Sequence, residues 1–114
     1  MGRSLKRSPP APKTLSPRAA AFWRRLLPVC VELKSIRRSD LTAFELLVVA
    51  LATEQEAREV LNRDGMTVPT AAGGIKSHPC IKVSERARVQ SLALLGQFGL
   101  TPVTLQTASI WEPA

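Results

Sequence analysis

Seven consecutive apolar residues, Leu46-Leu47-Val48-Val49-Ala50-Leu51-Ala52, constrain the fold more than any other feature of this sequence. They lie within residues 40–64, which read as one helix with Ser39 or Asp40 as N-cap and Gly65 as the C′ residue. A surface helix needs one apolar stripe at 3.6-residue spacing, whereas seven apolar residues in a row wrap the whole circumference for nearly two turns. Protein must therefore cover that segment on every side, and a chain of 114 residues has little to cover it with. Self-association follows as an expectation. Helices one and three cover one side of residues 41–52 and a neighbouring copy covers the other, with Phe44, Leu47, Val48 and Leu51 assigned to the contact between copies. Residues 54–63 alternate charged and apolar side chains and read as an ordinary amphipathic continuation, with Glu54→Arg58 and Glu59→Arg63 as i,i+4 pairs.

The flanking segments follow from their punctuation. Residues 1–16 combine Pro9, Pro10 and Pro12 with basic and small polar residues, and only Leu5 and Leu15 are large and apolar, so a disordered basic arm is expected. Ser16-Pro17 starts a first helix as N-cap and N1, running to about residue 34. Phe22, Trp23, Leu26 and Leu27 form its apolar face, Trp23 anchors it on the central helix, and Pro28 is expected to kink or restart it. Residues 66–76 read as a small two-stranded hairpin reversing at Gly73-Gly74 and held by packing on the helices. Ser77-His78-Pro79 opens a third helix that stops at Gly99. One face of it carries Cys80, Val83, Ala87, Leu94 and Phe98, with Ile81, Leu92 and Leu95 beside it. Thr101-Pro102 opens a last short helix or turn, and Trp111 stands in a polar tail as a packing anchor or a docking residue. The organisation is mainly α: an arm at 1–16, a three-helix domain with its hairpin at 17–105, and a tail at 106–114.

Charge narrows the function. The net charge is +7, but residues 1–38 hold ten basic side chains against Glu32, a balance of +9. Residues 39–114 hold six basic against eight acidic, a balance of −2. A basic end of this kind fits a polyanionic partner, nucleic acid first. Arg3, Lys6, Arg7 and Lys13 of the arm, Arg18, Arg24 and Arg25 of the first helix, and Arg37 and Arg38 after it are the candidate DNA contacts. Two cysteines make no disulfide framework, and the longest apolar run falls far short of the ~20 residues a membrane helix needs. No secretory signal is apparent, so an intracellular protein with no membrane association is expected. The lone His78 has no nucleophile or acid partner and suits a helix cap or loop hydrogen bond; Cys30, His78 and Cys80 do not have zinc-site spacing. No cofactor is implied, and a binding protein is expected rather than an enzyme.

Several stretches together resemble the small subunit of phage terminases, of the kind found beside HNH-containing packaging systems. They are Ala21-Phe22-Trp23-Arg24-Arg25-Leu26-Leu27-Pro28, Asp40-Leu41-Thr42-Ala43-Phe44-Glu45-Leu46-Leu47, and Gly73-Gly74-Ile75-Lys76-Ser77-His78-Pro79-Cys80-Ile81-Lys82. Residues 92–95 and Gly99-Leu100-Thr101-Pro102 continue the match, which spans about residues 16–105. The resemblance implies a non-enzymatic subunit that assembles into a ring in the host cell cytoplasm. It would bind double-stranded viral DNA near the packaging start and recruit or regulate the large ATPase–nuclease subunit. Val103-Thr104-Leu105-Gln106-Thr107 is uncharged where such proteins often carry arginine, which moves the expected DNA contacts to the N-terminal cluster. The alternative is a small helix-turn-helix transcription regulator, favoured by the short turn between helices one and two. Against it, a recognition helix shows polar side chains on its exposed face, and residues 46–52 contain none. A structural adaptor with no DNA role would leave the basic arm without a purpose.

Overall fold

Ser16 and Pro17 open the first helix as their chemistry dictates: the Ser16 hydroxyl accepts from the Ala19 N–H at 3.2 Å, and Pro17 occupies a position whose N–H has no intrahelical partner. In this computed structural model, which describes residues 3–100, α1 spans Pro17–Glu32, α2 Leu41–Asp64 and α3 Cys80–Gln97. A 3-10 turn over Arg38–Asp40 precedes α2, and strands β1 (Thr67–Pro69) and β2 (Ile75–Ser77) form an antiparallel hairpin between α2 and α3. The mainly helical fold expected from the sequence is therefore present. The last turn expected at Thr101-Pro102, together with Trp111 and the tail, lies outside the described residues.

Three aromatic rings tie the helices together. Trp23 of α1 meets Phe44 of α2 edge-on at 5.2 Å between centroids, and Phe44 meets Phe98, at the end of α3, edge-on at 5.6 Å. Leu26, Leu27, Ile36, Leu47 and Val48 fill the space around them and are fully buried. Pro28 does not restart α1. The helix continues through it with Pro28 on the exposed side, where the carbonyl that loses its N–H partner can turn to water.

The buried face of α3 differs from the expected one. Ser84, Ala87, Ser91, Leu95 and Phe98 point inward, while Val83 and Leu92 are exposed. Small side chains at 84, 87 and 91 let the α3 backbone come close to α2. The Ser91 hydroxyl donates to the Ala87 carbonyl at 2.7 Å, and no buried polar side-chain atom among the described residues is left without a partner. Hydrophobic periodicity cannot detect a face built from serine and alanine. The hairpin also differs. Its strands are almost wholly exposed, with Ile75 at 75 % of its maximal accessibility and Met66, just before β1, at 69 %, so packing on the helices does not hold it. Gly73, at φ +88°, makes the reversal, with the Thr70 hydroxyl accepting from the Gly74 N–H.

His78 clips the hairpin to both neighbouring helices. Its backbone N–H donates to the Met66 carbonyl at 2.8 Å, and its Nδ1 accepts from the Cys80 N–H at 3.0 Å, the first residue of α3. An accepting Nδ1 carries no proton, so the neutral ring carries its proton on Nε2, which donates to the Asp64 carboxylate at 3.2 Å, the last residue of α2. The capping role read from the Ser-His-Pro junction is what the geometry gives, with the imidazole as the cap.

Candidate nucleic-acid interface

The N-terminal arm is not loose. Residues 3–15 run along the core, where Leu5, Ala11 and Leu15 pack against it. Ser4 pairs with Arg37 in a single β-bridge, the Leu5 N–H donates to the Ile36 carbonyl at 2.8 Å, and the Trp23 indole N–H donates to the Pro9 carbonyl at 3.0 Å. This corrects the expectation of a disordered arm, and two physical reasons account for it. A buried tryptophan needs an acceptor for its N–H, which the arm supplies. The prolines already restrict the backbone to extended conformations, which lowers the entropic cost of docking.

Once docked, the arm brings its charges close to those at the end of α1. Arg3 and Lys6 line a surface groove of about 470 Å³ with Lys34, and Lys34 also lines the adjoining groove with Ser4 and Arg37. Lys34 sits at an unusual backbone position. The Ser35 N–H reaches back to the Cys30 carbonyl (3.0 Å) and the Lys34 N–H to the Val31 carbonyl (3.1 Å), the paired bonds of a Schellman cap. That cap puts its C′ residue in the left-handed region, and Lys34 has φ +56° where glycine is usual. Lys34 therefore joins the basic surface, although sequence reasoning counts it only toward the charge of this end. The one signal that could have found it is the missing glycine after α1.

Ion pairing sorts the nine sequence-derived contacts. Arg18 is tied to α2 through Glu59 (2.8 Å), Glu56 (3.9 Å) and Gln55 (3.3 Å), and Arg37 holds Asp40 (3.4 Å) in the turn that starts α2. These two positions have structural partners. Arg3, Lys6, Arg7, Lys13, Arg24, Arg25 and Arg38 are exposed and make no ion pair among the described residues. A guanidinium or ammonium without a carboxylate partner is what a phosphate can use.

The ion pairs around Glu54 and Asp64 are structural. Glu54, on the α2 face toward α3, holds Arg58 one turn along α2 and Arg88 on α3 (3.4 Å). Burial pushes the Glu54 carboxyl up, but the hydrogen bonds and charges of the two arginines outweigh it, and its pKa lies below the ordinary glutamate value. Hydrogen bonds from Arg63 and then His78 hold Asp64 down at about 2. Burial raises the Cys30 thiol to about 11, so it is neutral and unreactive at pH 7. Arg63 pairs with Asp64 rather than with Glu59, which Arg18 occupies.

The residues assigned to a contact between copies need correcting. Phe44, Leu47 and Val48 are fully buried and Leu51 is 5 % exposed, all within one protomer's own core. The reason is that α1 and α3 between them cover most of α2. Two members of the apolar run stay uncovered, Leu46 at 60 % and Val49 at 43 %. They line a groove of about 500 Å³ between α2 and α3, with Ala50, Val83, Ala87 and Leu94.

No helix among the described residues is long and apolar enough to cross a membrane. No curated protein and no solved structure matches the chain. A sequence profile does, across most of the length and over all three helices: residues 19–112 match that of the phage terminase small subunit, and the chain belongs to that family, which serves phage DNA packaging.

Proposed function

We propose that this chain is the DNA-recognition subunit of a phage packaging machine: it assembles into a ring, binds viral concatemeric double-stranded DNA, and recruits or regulates the large ATPase–nuclease subunit in the host cytoplasm. It carries out no chemistry itself. The observation that supports DNA binding best is the division of the basic side chains. Arg3, Lys6, Arg7, Lys13, Arg24, Arg25, Lys34 and Arg38, on the arm, on α1 and just after it, lack carboxylate partners among the described residues, as do Lys76, Lys82 and Arg86 elsewhere, while Arg18, Arg37, Arg58, Arg63 and Arg88 are engaged within the fold. Arg3, Lys6, Arg7, Lys13, Arg24, Arg25, Lys34 and Arg38 then supply phosphate contacts, which position the protein on a duplex without reading sequence. The helix-turn-helix reading is weaker, because the uncovered face of α2 presents Leu46 and Val49, which cannot read base edges by hydrogen bonding.

The test is binding of a fluorescent duplex over a salt series. Wild type should lose affinity steeply with salt, and Arg24→Gln with Arg25→Gln should flatten the slope by about 0.9 for each phosphate that is no longer neutralised. An unchanged slope removes these residues from the interface. Charge-neutralising changes in the arm (Arg3→Gln, Lys6→Gln, Arg7→Gln) are preferable to deleting it, since deletion also strips cover from the core.

A further inference from the structure

The α2–α3 pair carries two exposed apolar surfaces of different shape. One is the groove rimmed by Leu46, Val49 and Val83 on the flank between the helices. The other is a ridge that runs from Val89 on the outer side of α3, 67 % exposed, to Leu92, 63 % exposed, which also rims the opposite flank of the helix pair beside Arg58 and Arg88. The two surfaces point in different directions. Ala87 and Ser91 are buried against α2, and at 100° per residue Val89 projects almost directly away from them while Val83 projects to the side. Each surface carries an exposed charge with no ion pair among the described residues: Glu85 lies one turn before Val89 on the ridge, with Lys82 a further turn away, and Arg86 lines the groove.

Resting on the assembly proposed above, we infer that the subunit contact is head-to-tail: the Val89–Leu92 ridge of one copy seats in the α2–α3 groove of the next, with Glu85 facing Arg86. A second copy of this chain is the occupant because both complementary surfaces belong to it. The contact covers Leu46 and Val49, the two uncovered members of the run that wraps α2. A ridge and a groove facing different ways cannot satisfy each other in a two-fold dimer. Each copy offers one of each to two different neighbours, and such a heterologous contact closes into a ring when its rotation divides the circle.

The test is complementation between two full-length variants, read as mass by light scattering. Val49→Glu damages the groove and leaves the ridge; Leu92→Glu damages the ridge and leaves the groove. Both positions are exposed, and circular dichroism and melting establish that each variant folds. Each alone should run as a 12.4 kDa monomer, and an equimolar mixture should give a dimer and nothing larger, because one intact ridge meets one intact groove. Glu85→Arg alone should weaken assembly, and adding Arg86→Glu in the same chain should restore it. The inference is overturned if the mixture stays monomeric, if either variant assembles like wild type, or if wild type is itself a monomer. Duplex binding measured on the same samples separates the two readings: a multimer that binds DNA but fails the mixing test loses only this interface.

Discussion

Lys34→Gly should raise stability and lower DNA affinity in one substitution. Lys34 is held at φ +56° by the two hydrogen bonds that close α1, and a residue with a Cβ in the left-handed helical region carries about 1–2 kcal/mol of steric cost. Glycine removes that cost but makes the unfolded chain more flexible, returning about 0.4–1 kcal/mol. The net is a gain of about 0.5–1 kcal/mol. At roughly 4 °C per kcal/mol for a chain of this length, thermal unfolding should move up by about 2–4 °C. Lys34→Ala is the control, because it removes the same charge and keeps the strain, so its melting temperature should not rise. Both variants should lose the same duplex affinity and flatten the salt dependence by about 0.9. Denaturation by heat and urea, with anisotropy on the same preparations, reads both effects. A melting temperature for Lys34→Gly at or below wild type would refute the cap argument. Affinity unchanged in both variants would remove Lys34 from the interface while leaving the cap intact.

Other substitutions probe the remaining interactions. Val48→Glu, placing a charge where the side chain is fully buried, should unfold the protein, while Glu56→Lys on the exposed face of α2 should leave the circular dichroism spectrum native. Glu54→Ala should cost about 1–2 kcal/mol in urea unfolding by freeing Arg58 and Arg88. Because the Glu54 and Asp64 pKa values are depressed in the folded state, their contribution is present above the ordinary carboxylate range and disappears as pH falls through the folded values. Acid unfolding should therefore become shallower below about pH 4 in the Glu54→Ala, Asp64→Asn double variant. Trp23→Phe keeps most of the apolar volume but removes the donor to Pro9, so trypsin should cleave at Lys6, Arg7 and Lys13 faster than in wild type. Equal cleavage rates would mean that the indole bond does not secure the arm.

The elements with strong local chemistry are legible in the sequence. Ser16-Pro17, Gly65, the Ser77-His78-Pro79 junction and Gly99 each mark a boundary with a side chain or a backbone requirement of its own, and the structure puts helix ends within a residue or three of them. Trp23 anchors α1 on α2 as its size leads one to expect, but the ring it meets there, Phe44, is one that the sequence assigns to a contact between copies. Seven apolar residues in a row also mark α2 as the central helix, the one with most surface to cover. What they cannot tell is which residue faces which cover, since every position in such a run is chemically equivalent. Only the placement of α1 and α3 separates buried Leu47 and Val48 from exposed Leu46 and Val49. The inward face of α3 is hidden for a related reason: serine and alanine carry little hydropathy signal, and their value lies in the close approach they permit to a particular neighbour. Charge follows the same division. Composition determines that the N-terminal end is basic, but whether an arginine meets a carboxylate 2.8 Å away, as Arg18 does, or faces solvent, as Arg24 does, depends on the partner that folding brings up beside it.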